Sequence, residues 1–270
     1  MRLKNIQFSS PVAVFPHFAS VGTPQSSLAV RHLRMLGQGM VLYSATAGQI
    51  PLIKLVAHIR NPQRSGSALY RVARGQEMGT GQWKDFLNTC LSSGTKEIAP
   101  FGVIADFSIP RPNEVYADYI QEVQACAEVF QDTHVPLLVQ VSITTPPDVV
   151  RQIAETVGVD GIVLSEYLPW NTLPKEVRTI FFNRTESPYI KEGGGLAVGK
   201  YWTPIALEWI TQIRRAGVFL PILGGGFLRG SDVDRCLTSG FSAVYIGRSV
   251  RALRPWQKYS IARRARKHNS

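Results

Sequence analysis

Pro136-Leu-Leu-Val-Gln-Val-Ser142, Asp148-Val-Val-Arg-Gln-Ile-Ala-Glu-Thr-Val157 and Gly161-Ile-Val-Leu-Ser165 decide how this chain is read. The first and third are short apolar runs rich in β-branched residues, as expected of strands buried on both faces. Between them Val149, Val150, Ile153, Ala154 and Val157 recur at helical spacing. Pro146 and Pro147 open that helix and Gly158 lies past its end, the usual asymmetry of the two breakers. Strand, helix and strand make a βαβ unit.

The unit recurs in both directions. Downstream, Thr203 is placed to cap a helix over 203–216, with Pro204 in its first turn, Ala206, Trp209, Ile210 and Ile213 on one face, and Gly217 at its end. A strand over 219–223 follows. After Gly224-Gly-Gly226, the run Ser231-Asp-Val-Asp234 offers an N-cap and first-turn carboxylates for a short helix to Ser239, before a strand over 243–246. Upstream, Tyr116, Ile120, Val123, Ala127 and Phe130 fall at helical spacing behind a strand over 102–107. Strands are thus expected to start near residues 12, 40, 102, 136, 161, 179, 219 and 243. Eight strands alternating with helices in one chain of 270 residues predict a single closed α/β barrel, a (β/α)8 TIM barrel, rather than a doubly wound sheet. The barrel is expected over 1–255, followed by a basic tail over 256–270.

Composition agrees with that class. At 44% hydrophobic and 18% charged residues the chain can bury a large core, which excludes a disordered or fibrous protein. No apolar run approaches the roughly 18 residues of a membrane span, and the first ten residues lack the apolar core of a signal peptide; a cytoplasmic location is expected. Cys90, Cys126 and Cys236 are too scattered for a disulfide framework and read as free thiols. His17, His32, His58 and His134 show no metal-ligand spacing, and no metal is expected.

The formal charge of +11 is unevenly spread. Residues 248–270 hold eight Lys or Arg (Arg248, Arg251, Arg254, Lys258, Arg263, Arg264, Arg266 and Lys267) and no acid, so the rest of the chain carries only +3. Such a segment attracts nucleic acid, an anionic membrane surface or an acidic protein partner; the alternative is a solvated terminus with no partner.

Three glycine-rich turns lie in the last third: Gly193-Gly-Gly-Leu-Ala-Val-Gly199, Gly224-Gly-Gly226 and Gly247-Arg248. Glycine allows backbone to approach a ligand closely, and the loops after the seventh and eighth strands of such barrels form a phosphate site. Arg248 adds a charge-assisted contact. The competing reading is that these are ordinary turns and helix caps. Asp106 and Glu166 follow strands in parallel order, which places both at the catalytic end; a cap or salt bridge is the other reading. Trp170, Trp202 and Trp209 are candidates for shaping a pocket, Trp209 being the one most consistent with plain core.

The stretch Gly194-Gly-Leu-Ala-Val-Gly-Lys-Tyr-Trp-Thr-Pro-Ile-Ala-Leu207, with Leu220-Pro-Ile-Leu-Gly-Gly-Gly226, Ser231-Asp-Val233 and Ser242-Ala-Val-Tyr-Ile-Gly247, resembles the flavin-binding end of the dihydroorotate dehydrogenase family. Arg2-Leu-Lys-Asn5, Asn61-Pro62 and residues 135–164 fit as well. The resemblance implies an FMN-binding TIM barrel oxidoreductase whose cofactor phosphate rests on Gly195, Gly199, Gly225, Gly226, Gly247 and Arg248, acting on a small-molecule substrate, and forming a homo- or hetero-oligomer.

The departures from that family are specific. Its catalytic-base loop, Asn-x-Ser-Ser/Cys-Pro-Asn, is best matched by Asp106-Phe-Ser-Ile-Pro-Arg111, which puts Ile109 at the base and Asp106 at a flavin- or substrate-binding Asn. Isoleucine cannot accept a proton. In another alignment the base loop is absent altogether. The family's strand lysine falls on Gln140, which donates a hydrogen bond but brings no charge, and its Asn after the next strand falls on Glu166, which would repel the carboxylate of orotate. The early flavin-contacting lysine has no clear counterpart near residues 43–46. Gln140, Glu166 and Asp106 are therefore the candidate catalytic residues, for a substrate other than orotate. The rival reading is a catalytically degenerate barrel, a subunit or scaffold that meets an anionic partner through its basic tail. A third is a barrel that binds a phosphorylated metabolite without flavin.

Overall fold

The computed structural model describes residues 2–3, 6–7, 12–14, 40–46, 54–60, 68–73, 101–107, 116–192, 194–199, 201–225, 230–246 and 255–268. In chain order the strands are β1 (Arg2–Leu3), β2 (Ile6–Gln7), β3 (Val12–Val14), β4 (Met40–Thr46), β5 (Lys54–Arg60), β6 (Ala68–Ala73), β7 (Phe101–Phe107), β8 (Leu137–Val141), β9 (Gly161–Leu164), β10 (Leu168–Pro169), β11 (Leu196–Val198), β12 (Ile222–Gly225) and β13 (Ala243–Ile246). The helices are α1 (Tyr116–Phe130), α2 (Pro147–Glu155), α3 (Lys175–Phe182), α4 (Trp202–Arg215), α5 (Gly230–Thr238) and α6 (Pro255–Arg266).

Strands β3, β4, β7, β8, β9, β12 and β13 pair in that order, every pair parallel, and β13 returns to β3 to close a barrel. The side-chain period of two sorts each strand between two cores. Ala13, Ile104, Leu138, Val163, Leu223, Ala243 and Tyr245 fill the inside, joined by Leu3 from the β1–β2 hairpin. A Cβ built on Gly161, the first residue of β9, would lie 3.5 Å from Leu3, so this leucine plugs the end where the strands begin. The alternate residues Leu137, Val139, Val141, Ile162, Leu164, Val244 and Ile246 face outward into the layer shared with the helices.

Seven of the eight expected strand positions lie in the barrel, and the eighth is corrected. The run over 179–182 is the end of α3, and β9 pairs directly with β12 through Ile162↔Ile222 and Val163↔Leu223. A four-residue apolar run fits a strand or a helix equally. The flanks settle it: Pro174 is the N-cap, and Asn183 closes the helix in the left-handed conformation at φ 53°. Ile180 is consequently half-exposed and Phe182 is buried. The strand expected from residue 219 starts at Ile222, and Phe219 faces solvent. Thr203 does not cap α4; Tyr201 is the N-cap residue, without a side-chain cap bond, and Thr203 is buried in the first turn.

Outside the barrel, β5 and β6 form an antiparallel pair that extends through β11 to β10. The C-terminal segment is likewise more than a solvated terminus. Helix α6 packs Ile261, Ala262 and Ala265 into the outer core, and Arg264 pairs with Asp234 of α5.

Candidate active site at the C-terminal end of the barrel

The interior of a parallel barrel is open to chemistry only where its strands end, so the inward positions there define the site. On β8, Leu138 belongs to the interior core, and Gln140, two residues on, occupies the next inward position; it is 1% exposed. The register aligns Thr46, Asp106, Gln140 and Val163 across four neighbouring strands. Asp106 lies two positions beyond interior Ile104 on β7, so the backbone sets two of the three candidate catalytic residues side by side.

Glu166 follows β9 and is buried at 2% exposure. Its neighbour Ser165 is held by its amide on the Val141 carbonyl at 2.9 Å, while the Ser165 hydroxyl accepts from the Tyr167 amide at 3.2 Å. The Ser165 carbonyl accepts from the indole Nε1 of Trp202 at 2.9 Å. That bond ties the first turn of α4 to the end of β9, so the glycine-rich stretch leading into α4 arrives at the same end of the barrel. Gly199 contributes by accepting from the Trp202 amide at 3.0 Å.

The remaining cofactor candidates separate into two groups. Gly195 has φ +82°, and its carbonyl accepts from the Trp170 amide at 3.0 Å, so its conformation serves the β10–β11 pair. Gly225 ends β12 in register with Tyr245 of β13. Its φ is +151°, and an added Cβ would lie 2.8 Å from the Tyr245 amide nitrogen, so glycine here is demanded by the neighbouring strand. Gly226, Gly247, Arg248 and Ile109 lie outside the described residues. Because β12 and β13 are adjacent and parallel, their last described residues, Gly225 and Ile246, end side by side at the C-terminal end of the barrel.

The tryptophans are walls rather than reacting groups. Trp170 is buried edge-on to Phe182, with the Arg178 guanidinium over its ring, 5.8 Å from the centroid. Trp202 stacks on Phe241, and Trp209 lies in the helical core stripe. Tyr201 packs against Phe181 and Phe182, and burial pushes its phenol above the ordinary tyrosine range. Sequence reasoning missed Ser165 and Tyr245 as parts of this end. The signal for Tyr245 was present: it shares a strand face with Ala243, and a phenol on an inward face needs an acceptor.

Taken together, this end of the barrel holds a neutral amide, Gln140, and a buried carboxyl group, Glu166. No protein-family model matches this chain, and no curated protein matches it. Among solved structures, mandelate oxidase with 3,3-difluoro-2-hydroxy-3-phenylpropionic acid is similar at TM-score 0.51 and 12% identity, over 99% of this chain and 74% of that one. A mandelate oxidase variant with benzaldehyde gives 0.48 at 16% identity over 95% and 71%. The YdjI aldolase from Escherichia coli K12 gives 0.40 at 10% over 97% and 89%. At such identities the likeness is one of fold. The chain is an α/β barrel of the TIM type.

Proposed function

We propose that this barrel binds FMN at its C-terminal end and acts as a flavin-dependent oxidoreductase related to the dihydroorotate dehydrogenases, on a small-molecule substrate other than orotate. The observation that carries the reading is the adjacency of the parallel strands β12 and β13, whose C-terminal ends are the position at which such barrels hold phosphate. Glycine amides at 226 and 247 and the Arg248 guanidinium are a donor set that fits a phosphate monoester. The neighbour with TM-score 0.51 is a mandelate oxidase, which agrees with redox chemistry on this scaffold.

FMN supplies the hydride or electron chemistry when bound. The chain's own contributions are placement and polarity. Gln140, buried on β8, would hold a ring edge through its side-chain amide without adding charge. Glu166 makes the mouth unfavourable to a carboxylate substrate and favourable to one that presents a hydrogen-bond donor or a cation. Trp202 and Ser165 fix the loop that enters α4 against β9.

The test is the visible spectrum of the purified protein, before and after incubation with FMN, with Gly226→Leu beside it. Flavin bands in the wild type, released by heat and lost in the variant while its melting temperature holds, are the expected result. A colourless wild type that cannot be reconstituted overturns the flavin reading and leaves the degenerate barrel. Unchanged flavin binding in Gly226→Leu moves the phosphate site elsewhere.

A further inference from the structure

Helix α6 has two faces of opposite use. Ile261, Ala262 and Ala265 are buried in the outer core, so its aliphatic side is already occupied by the protein. On the other side Trp256, Tyr259 and Arg263 recur at i, i+3 and i+7, within about 60° of arc for 3.6 residues per turn. Lys267 follows in the closing turn, its amide bonded to the Arg264 carbonyl at 3.1 Å. Trp256 is 61% and Tyr259 64% exposed, and Arg263 and Lys267 are exposed as well.

Asp234 of α5 takes Arg264 in an ion pair and His268 at 3.1 Å, both from the flank of α6. The C-terminal 23 residues contain eight Lys or Arg and no Asp or Glu. Large aromatics are costly to leave in water, and here two of them lead directly into the cations. Rings provide flat platforms for bases, and the adjacent cations match the phosphates of the same strand. A lipid surface fits less well, because a membrane-lying helix buries a broad aliphatic face in the acyl boundary, and that face of α6 is turned inward.

We infer that the outward face of α6, formed by Trp256, Tyr259, Arg263 and Lys267, is a binding surface for single-stranded nucleic acid. Stacking on the two rings gives contact without base preference, and the charge pairs give a strong dependence on salt.

The experiment uses the full chain and a fluorescein-labelled single-stranded oligothymidylate, read by anisotropy and by tryptophan emission. Binding should weaken steeply between about 50 and about 200 mM salt, with tryptophan quenching on association. Arg263→Glu with Lys267→Glu should lower the slope of log K against log salt by about 1.4, two contacts at about 0.7 each. Trp256→Ala with Tyr259→Ala should weaken binding at least about tenfold and abolish most of the quench. All four positions are exposed, so melting temperatures should stay near wild type, and the wild-type quench stands without any variant. Absence of binding at about 50 mM salt overturns the inference, as does unchanged affinity in both double variants. Association with phosphatidylserine vesicles but not with the oligonucleotide also overturns it, in favour of a membrane.

Discussion

The phenol of Tyr245 on β13 donates a 2.9 Å hydrogen bond to the carbonyl of Leu164, the last residue of β9, reaching past β12 inside the barrel. Gly225, the register partner of Tyr245 on β12, carries no side chain, and an added Cβ there would meet the Tyr245 backbone. One glycine, one phenol and one carbonyl thus lock three neighbouring strands at the end where the site lies. Tyr245→Phe keeps the ring and removes the donor. It should lower stability by about 1–3 kcal/mol, the cost of stranding a buried carbonyl, read as a shift of the urea midpoint at constant m-value. Gly225→Ala should cost more, because the Tyr245 backbone must move to admit the new methyl. An unchanged midpoint in Tyr245→Phe would show that the bond contributes nothing.

At the opposite end of the barrel, Arg214 fastens the turns that lead into β12 and β13. Its guanidinium donates to the carbonyls of Gly240 (2.7 and 3.0 Å), Val218 (2.7 Å) and Leu220 (3.0 Å), and reaches the Ser242 hydroxyl at 3.3 Å. Desolvation lowers its pKa below the free arginine value without displacing it from the cationic form that the carbonyls require. Arg214→Lys keeps the charge but not the planar fork. A loss of about 1.5–3 kcal/mol is expected, and a lysine variant as stable as wild type would reduce the clasp to simple charge.

Removal of α6 should destabilise the barrel, the reverse of what a solvated tail predicts. Ile261 is fully buried, and Ile261→Ala should cost about 2–5 kcal/mol. The exposed neighbour Arg263→Ala should stay within about 0.5 kcal/mol. Calorimetric melting of the two variants side by side distinguishes a docked helix from a free one. Equal melting temperatures would detach α6 from the core.

Much of this fold was legible because the strands of a closed parallel barrel are buried on both faces and so appear as continuous apolar runs, as at 137–141, 161–164 and 243–246. Helix α2 was legible through its proline entry and through Val149, Val150 and Ile153, all buried. The segment over 179–182 was not, since its short apolar run carries no period and only the caps at Pro174 and Asn183 decide it. The basic terminus misled for another reason: charge dominates its composition, whereas three small or aliphatic residues on one face suffice to dock it. At the site, Gln140 and Asp106 were legible as strand-end positions, but their adjacency is a property of register, which one strand's sequence does not encode.

Burial pushes the Cys236 thiol from 9.0 up to about 12, with Asp232 adding to the rise and Arg235 opposing it. In the unfolded chain the thiol loses its proton near pH 9, while in the folded protein it keeps it. Above that pH the unfolded state binds one proton fewer, so stability falls as pH rises, by about 1.4 kcal/mol per unit for this one group. The fall ends only near the folded value. Tyr201, whose phenol is also raised by burial, joins around its ordinary value of 10.0, so over the interval from pH 9 to 10 it is the difference between wild type and Cys236→Ala that isolates the cysteine. Urea midpoints across that interval should fall in the wild type and flatten in Cys236→Ala, which also starts less stable because a buried side chain is trimmed. Parallel pH profiles in the two proteins would show that Cys236 titrates alike in both states.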